Sequence, residues 1–352
     1  MEFEFSEDQE LLRTTFRDFL AGETPVERIR ELWETDTGRS RELWSNLAEI
    51  GLPGLLVPED RGGLAMDEID LVLLLQEAGR AALAEPLIST AAVAAPMIRD
   101  LGGPLADTWL EKIADGDAIV AVSHPVNLFT SDAHVADLLL LEANGEIHAV
   151  DPSAANITHQ PANDPARRIY SIEWTPTAAS CVASGADAKR RLDAALDRGA
   201  LACAAQALGV GQKLVALAVD YACERHQFGV PIGSFQAVKH ALANVQVAIE
   251  YAQPAVYRAA HSVATEALCR SVDVSMAKRA ACRAAEQAAR AALQVHGAIG
   301  YTWEQDLHVW MRRAWSLAGA WGNGVWHTAR VASAVLDGAA PAKTFGYSAA
   351  AT

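Results

Sequence analysis

A mostly helical α+β fold in three consecutive domains is what the 352-residue sequence predicts. Three observations carry that expectation. Residues 1–115 keep a helical apolar period, residues 116–185 break into short strand-like apolar runs, and residues 186–338 resume the helical period as a bundle. Residues 339–352 hold Ala, Gly and Pro without a period and are expected to form a loose tail.

The first segment opens on Ser6-Glu7-Asp8-Gln9, a capping box leading into Leu11, Leu12, Phe16, Phe19 and Leu20. A second helix carries Leu43, Trp44 and Leu47. The stretch from Gly51 to Gly63 holds too many Gly and Pro to be helical throughout, and Ile69, Val72, Leu73 and Gln76 then restart the helical period. In the middle segment, the runs 118–122 and 136–141 are apolar and bounded by turn residues. Asn144-Gly145 before Ile147-His148-Ala149-Val150 is a hairpin signal, and Ile169 to Trp174 alternates as a strand does. In the last segment, Leu192, Leu196, Gly199, Cys203, Ala207, Val210, Leu214, Leu217 and Tyr221 advance by threes and fours as one stripe. Phe235, Val238, Leu242, Val245, Ile249 and Ala252 form a second stripe. The Ala-rich run 276–292 permits close helix–helix approach.

Composition narrows the function. Asp plus Glu number 44 against 29 Lys plus Arg, a formal charge of −15, which argues against nucleic acid or an anionic membrane as the main partner. Five cysteines without a C-x-x-C pair or a His at ligand spacing suit a reducing compartment and offer no metal site. The N-terminus is acidic and lacks a signal-peptide pattern, and the most apolar window, Ala81–Ile98, is broken by Glu85, Pro86 and Pro96. A cytoplasmic protein is expected. No P-loop, G-x-S-x-G or H-E-x-x-H run occurs, and Gly209-Val210-Gly211 lies within a helical stripe, so hydrolase, kinase and metalloenzyme readings have no motif behind them.

Between the two long stripes stands Arg225-His226-Gln227-Phe228-Gly229-Val230-Pro231-Ile232-Gly233-Ser234-Phe235-Gln236. By its residues alone this helix-turn-helix corner admits two readings: a hairpin whose Gly and Pro only stop and restart helices, or a phosphate-and-ring site built on a permanent cation and an aromatic face.

The domain order and two runs resemble the acyl-CoA dehydrogenase family. Arg225 to Gln236 matches R-x-[QT]-F-G-x-P-[IL]-x-x-[FH]-Q, and Gln294-Val295-His296-Gly297-Ala298-Ile299-Gly300-Tyr301 matches Q-x-H-G-x-I-G-Y, with Ala298 where a second Gly is usual. Weaker echoes are Phe5 to Gln9 and Leu55 to Glu59 with Gly62-Gly63. The resemblance implies FAD as cofactor, an acyl-CoA substrate, electron-transfer flavoprotein as acceptor, and a corner that reaches the FAD bound mainly by a neighbouring subunit. Arg225 would then bind the pyrophosphate, Gln227 and Phe228 the phosphates and ribose side, and Ile232 and Phe235 the adenine end. Gln294 with the Gly297–Ala298 backbone would contact the adenosine half. A guanidinium matches phosphate geometry, and Gly allows close backbone approach.

The chain also departs from that family. Its glutamate base occupies one of two places, and here Val325 stands at one and Gly199 at the other, so no catalytic residue is assigned to this chain. Losing a general base costs about 10²–10⁴-fold in rate. Glu224, Glu304 and Asp306 are the nearby carboxylates, and they suit an ion-pair or surface role and helix caps respectively. The family's T-E-P-x-[AG]-G-S-D run, which holds the flavin ring, has no counterpart; Ser123 to Asp132 is the nearest polar stretch. These departures resemble the smaller, base-less subunit of the heteromeric α2β2 acyl-CoA dehydrogenases of actinobacterial steroid side-chain breakdown, whose partner supplies the glutamate and the flavin-ring pocket. Open alternatives are a self-sufficient dehydrogenase with an unusual base, a scaffold without flavin, and an offshoot with other acyl or flavin chemistry.

Overall fold

The computed structural model describes residues 4–337, so the acidic first residues and the tail from Gly338 lie outside it. Six helices come first: α1 (Glu7–Glu23), α2 (Val26–Glu34), α3 (Arg41–Glu49), α4 (Glu68–Arg80), α5 (Ala95–Leu101) and α6 (Gly103–Ala114). The capping box is present, with Ser6 Oγ accepting from Gln9 N and Gln9 Oε1 accepting from Ser6 N. The apolar window 81–98 is occupied by a π-helical segment, Leu87–Ala94, and is buried almost throughout.

Two small sheets follow. Strands β1 (Val120–Val122), β3 (Leu138–Ala143), β4 (Glu146–Val150) and β7 (Cys181–Ala183) form one sheet in the order β1-β3-β4-β7. Strands β2 (Thr130–Ser131), β6 (Ile169–Glu173) and β5 (Asn156–Gln160) form the other, in that order. Asn144 and Gly145 turn between β3 and β4 with φ of 54° and 78°, the geometry a two-residue hairpin favours. The first sheet lays Leu138, Leu140 and Ile147 against the main core, while Leu139, Leu141, Val150 and Tyr170 fill a second, smaller core between the sheets.

The C-terminal helices are α7 (Gly185–Glu224), α8 (Gln236–Ala264), α9 (Arg270–His296), α10 (Leu307–Gly319) and α11 (Gly324–Leu336). Helix α7 is the axis of the molecule. Its apolar residues were expected to form one stripe, but every residue from Ala195 to Gly211 is buried, because α4, α8, α9 and α10 enclose it. Small residues make that enclosure possible: a Cβ on Gly79 or Gly209 would fall about on the backbone of the facing helix, 2.0 and 1.8 Å from Gln206 O and Gln76 O. By length and composition α7, rather than the 81–98 window, comes nearest to a membrane span, yet 67% of its most apolar stretch is inside the fold.

Candidate functional site

The corner after α7 is a tight β-hairpin rather than a plain helix–turn–helix joint. Two-residue strands β8 (His226–Gln227) and β9 (Val230–Pro231) pair antiparallel, and Ile232 N donates to Arg225 O at 2.8 Å. Phe228 and Gly229 make the turn with φ of 55° and 81°. Both central residues of this turn type must take positive φ, which Gly does freely and Phe only at a cost of about 1–2 kcal/mol. The strained Phe228 is 93% exposed, so packing within the chain does not compensate. Among the described residues its one aromatic neighbour is Phe235, edge to face at 6.2 Å. Arg225 and Gln227 are exposed as well, and Ile232 is half-buried beneath them. Phe228→Asn should therefore stabilise the chain by up to about 1 kcal/mol in chemical denaturation, since Asn tolerates this backbone, while weakening any ligand held against the ring.

The second run arrives at the same place. Helix α9 runs parallel to α7 because α8 returns between them, so both helices end together. The ring of His296, in the last turn of α9, stacks on Tyr221, in the last turn of α7, at 4.3 Å and 17°. That stack fixes Gln294, Gly297 and Ala298, all exposed, beside the hairpin. Gly297 ends α9 with φ 64° and ψ −138°, a conformation open to glycine, and space for a Cβ there is empty. The fold thus gathers the eight sequence-predicted residues at one end of the bundle as a cation, two amides, two aromatic rings, an isoleucine and an open stretch of backbone. These fit the phosphates and purine of a dinucleotide approaching from outside the chain.

The opposite half of the expected site is different. Between the loop after β1, α7 and α10 lies a cavity of about 80 Å³, bordered by Asn127, Arg167, Cys203, Gln206 and Trp321. That is well below the roughly 300–1,000 Å³ of sites that hold drug-sized ligands. Trp321 forms part of its wall. The loop between α10 and α11 turns through Trp321 and Gly322 at φ of 53° and 87°, laying the indole over Gly199, where a Cβ would meet the ring at 2.2 Å. Asn127 Oδ1 accepts from Trp321 N at 2.7 Å. On the other side Trp321 O accepts from His327 Nε2 at 2.9 Å, and His327 Nδ1 lies 3.0 Å from Ser275 Oγ. Burial pushes His327 down to about 4, so the ring is neutral at pH 7 and the Nε2 proton is the one donated. Nothing in the sequence pattern signalled Trp321. Only the packing reveals that the residue four positions before Val325 covers Gly199.

Of the two places where a base was sought, then, Gly199 lies under an indole and Val325 is 80% exposed on the first turn of α11. Glu224 is exposed at the hairpin. Asp306 was expected to cap a helix, but its side chain makes no cap bond and pairs with Arg30 at 2.5 Å, tying α10 to α2. Beside the cavity Glu85 is pushed up to about 7 by burial, against the pull of Arg39. Its Oε1 accepts from Ser40 N at 3.0 Å, just before α3, its Oε2 is buried without a hydrogen-bond partner among the described residues, and Arg39 is itself bound to Asp132.

Comparison with known proteins identifies the family. The model of the acyl-CoA dehydrogenase N-terminal domain matches residues 6–117, and that of the C-terminal domain matches residues 190–336. The chain is 31% identical to the acyl-CoA dehydrogenase IpdE2 of Mycobacterium tuberculosis over 88% of its own length and 91% of that protein. It is 32% identical to the acyl-CoA dehydrogenase FadE34 of the same organism over 92% of its length, which covers 47% of FadE34. Among solved structures, a chain of the ChsE4–ChsE5 complex from M. tuberculosis superposes with a TM-score of 0.85 at 24% identity, covering 97% of this chain and 100% of that one. Two family models and a relative matched nearly end to end place this chain in the acyl-CoA dehydrogenase family, FAD-dependent oxidoreductases acting on CH–CH groups.

Proposed function

We propose that this chain is the base-less subunit of a heteromeric acyl-CoA dehydrogenase, built as an α2β2 assembly. It lends Arg225, Gln227, Phe228, Ile232, Phe235, Gln294, Gly297 and Ala298 to the adenine and pyrophosphate half of an FAD whose flavin ring rests on a catalytic partner. The observation that carries this reading is the contrast between its two half-sites. The donated corner is exposed and strained outward, whereas the chain's own ring pocket is filled by Trp321 and has glycine and an exposed valine where a base would stand. A subunit retaining only the first half is useful only beside one that retains the second. The length of FadE34 supports the pairing: this chain matches 47% of it, which leaves room for a second unit of similar size in the same polypeptide. The partner's glutamate would take the α-proton of the acyl-CoA, and the flavin the β-hydride. A steroid side-chain CoA ester as substrate and electron-transfer flavoprotein as acceptor follow from the family resemblance alone.

Co-expression with a catalytic acyl-CoA dehydrogenase subunit of the same genome tests the proposal, read by absorbance spectrum and native mass. The expected product is a yellow heterotetramer with one FAD for each pair of chains, this chain alone being colourless. A yellow homo-oligomer that bleaches with an acyl-CoA would overturn it, as would a complex that assembles without flavin.

A further inference from the structure

Strand β4 carries Glu146 and His148 on one face, and β7 brings Cys181 opposite His148. The pairing is not regular: the register slips between Ile147 and His148, a bulge that aims Cys181 at the same point. The donor atoms of Glu146, His148 and Cys181 all lie within 4.8 Å of one another. His148 is 1% exposed, packed edge-on against Trp174 at 5.0 Å, between the two sheets.

His148 Nδ1 lies 3.0 Å from Ser180 Oγ, which also reaches Thr177 O at 3.0 Å and Thr177 Oγ1 at 3.1 Å. When the serine hydroxyl donates to Thr177, the ring proton sits on Nδ1 and Nε2 turns a lone pair toward the Glu146 carboxylate, 3.3 Å away. Nε2 is buried and makes no hydrogen bond among the described residues. A cation bound there would supply the missing partner. Two N or O ligands at about 2.0–2.1 Å from a tetrahedral ion stand about 3.3–3.4 Å apart, which is the separation found here. Ser180 would be the outer partner that orients the histidine, and a small χ1 rotation of Cys181 would complete three ligands, with solvent fourth through the half-exposed Glu146.

We propose that Glu146, His148 and Cys181 bind a thiophilic divalent cation, Zn2+ by their donor set, which staples β7 to β4 just before α7 begins. Binding exchanges the Cys181 thiol proton for the metal and involves no redox step. The test uses the full chain, stripped with chelator and titrated with Zn2+ by calorimetry and with Co2+ by absorbance. One ion per chain is expected, with a thiolate-to-cobalt charge-transfer band. Cys181→Ser should abolish the band and weaken Zn2+ by about tenfold or more, as should Glu146→Gln, and both positions are exposed enough to leave folding intact. No stoichiometric uptake by the native chain would overturn the proposal. A band unchanged in Cys181→Ser would overturn it equally.

Discussion

In the proposed heteromer, Arg225→Ala should weaken FAD binding roughly 10–100-fold, although on that reading the substituted residue touches no part of the flavin ring. The physical reason lies in what Arg225 has to offer. Its guanidinium is exposed at the first residue after α7, held by a backbone bond from its N to Tyr221 O at 2.8 Å and by the hairpin bond from Ile232 N to its O. Both bonds survive truncation, so the backbone geometry and the chain's own stability should be unchanged. What would be lost, on the proposed reading, is a charge-assisted, two-pronged contact to a diphosphate. A hydrogen bond to a charged group is worth about 1.5–3 kcal/mol, so FAD should bind the complex roughly 10–100-fold more weakly. Arg225→Lys should recover only part of this, because an ammonium keeps the charge and loses the fork. Flavin absorbance per complex after gel filtration, with a titration of added FAD, measures both. Flavin content equal to that of the unsubstituted complex would remove the corner from the cofactor site and with it the half-site argument.

How much of this was legible beforehand depends on the range of the interaction. The capping box at Ser6, the Asn144-Gly145 hairpin and the period of α4 and α8 are set by residues three or four apart, and the structure has each of them. The sequence did not announce β2, β5 and β7, which are short, partly polar strands stabilised by their neighbours rather than by their own pattern. The corner was recognised as a turn, but its type was not, since Phe is a poor residue for positive φ and local preference argues against it. That mismatch between preference and geometry occurs where the proposed ligand contacts are. The filled ring pocket was legible only as absences, at Gly199 and Val325. Its cause, Trp321, stands 122 positions from Gly199 in sequence and is joined to it only by the tertiary fold.

Restoring the missing base by Gly199→Glu therefore fails, and the failure is steric before it is chemical. A Cβ at position 199 would stand 2.2 Å from Trp321 Cδ2, and the backbone on either side is pinned within the buried length of α7. Overpacking of this kind costs about 1–3 kcal/mol, and burying a carboxylate inside α7 adds a desolvation cost, so a loss above about 3 kcal/mol is expected in denaturant unfolding. Trp321→Ala alone should cost a similar amount, about 3–5 kcal/mol, by leaving a cavity and freeing Asn127 and His327 to rearrange. Together the two changes should cost clearly less than their sum, because the second removes the clash that the first creates. The sign of that coupling decides the matter: a Gly199→Glu chain as stable as the original would mean that Trp321 swings aside at little cost. The cavity beneath it could then open for a flavin ring, and the division of one site between two subunits would lose its structural basis.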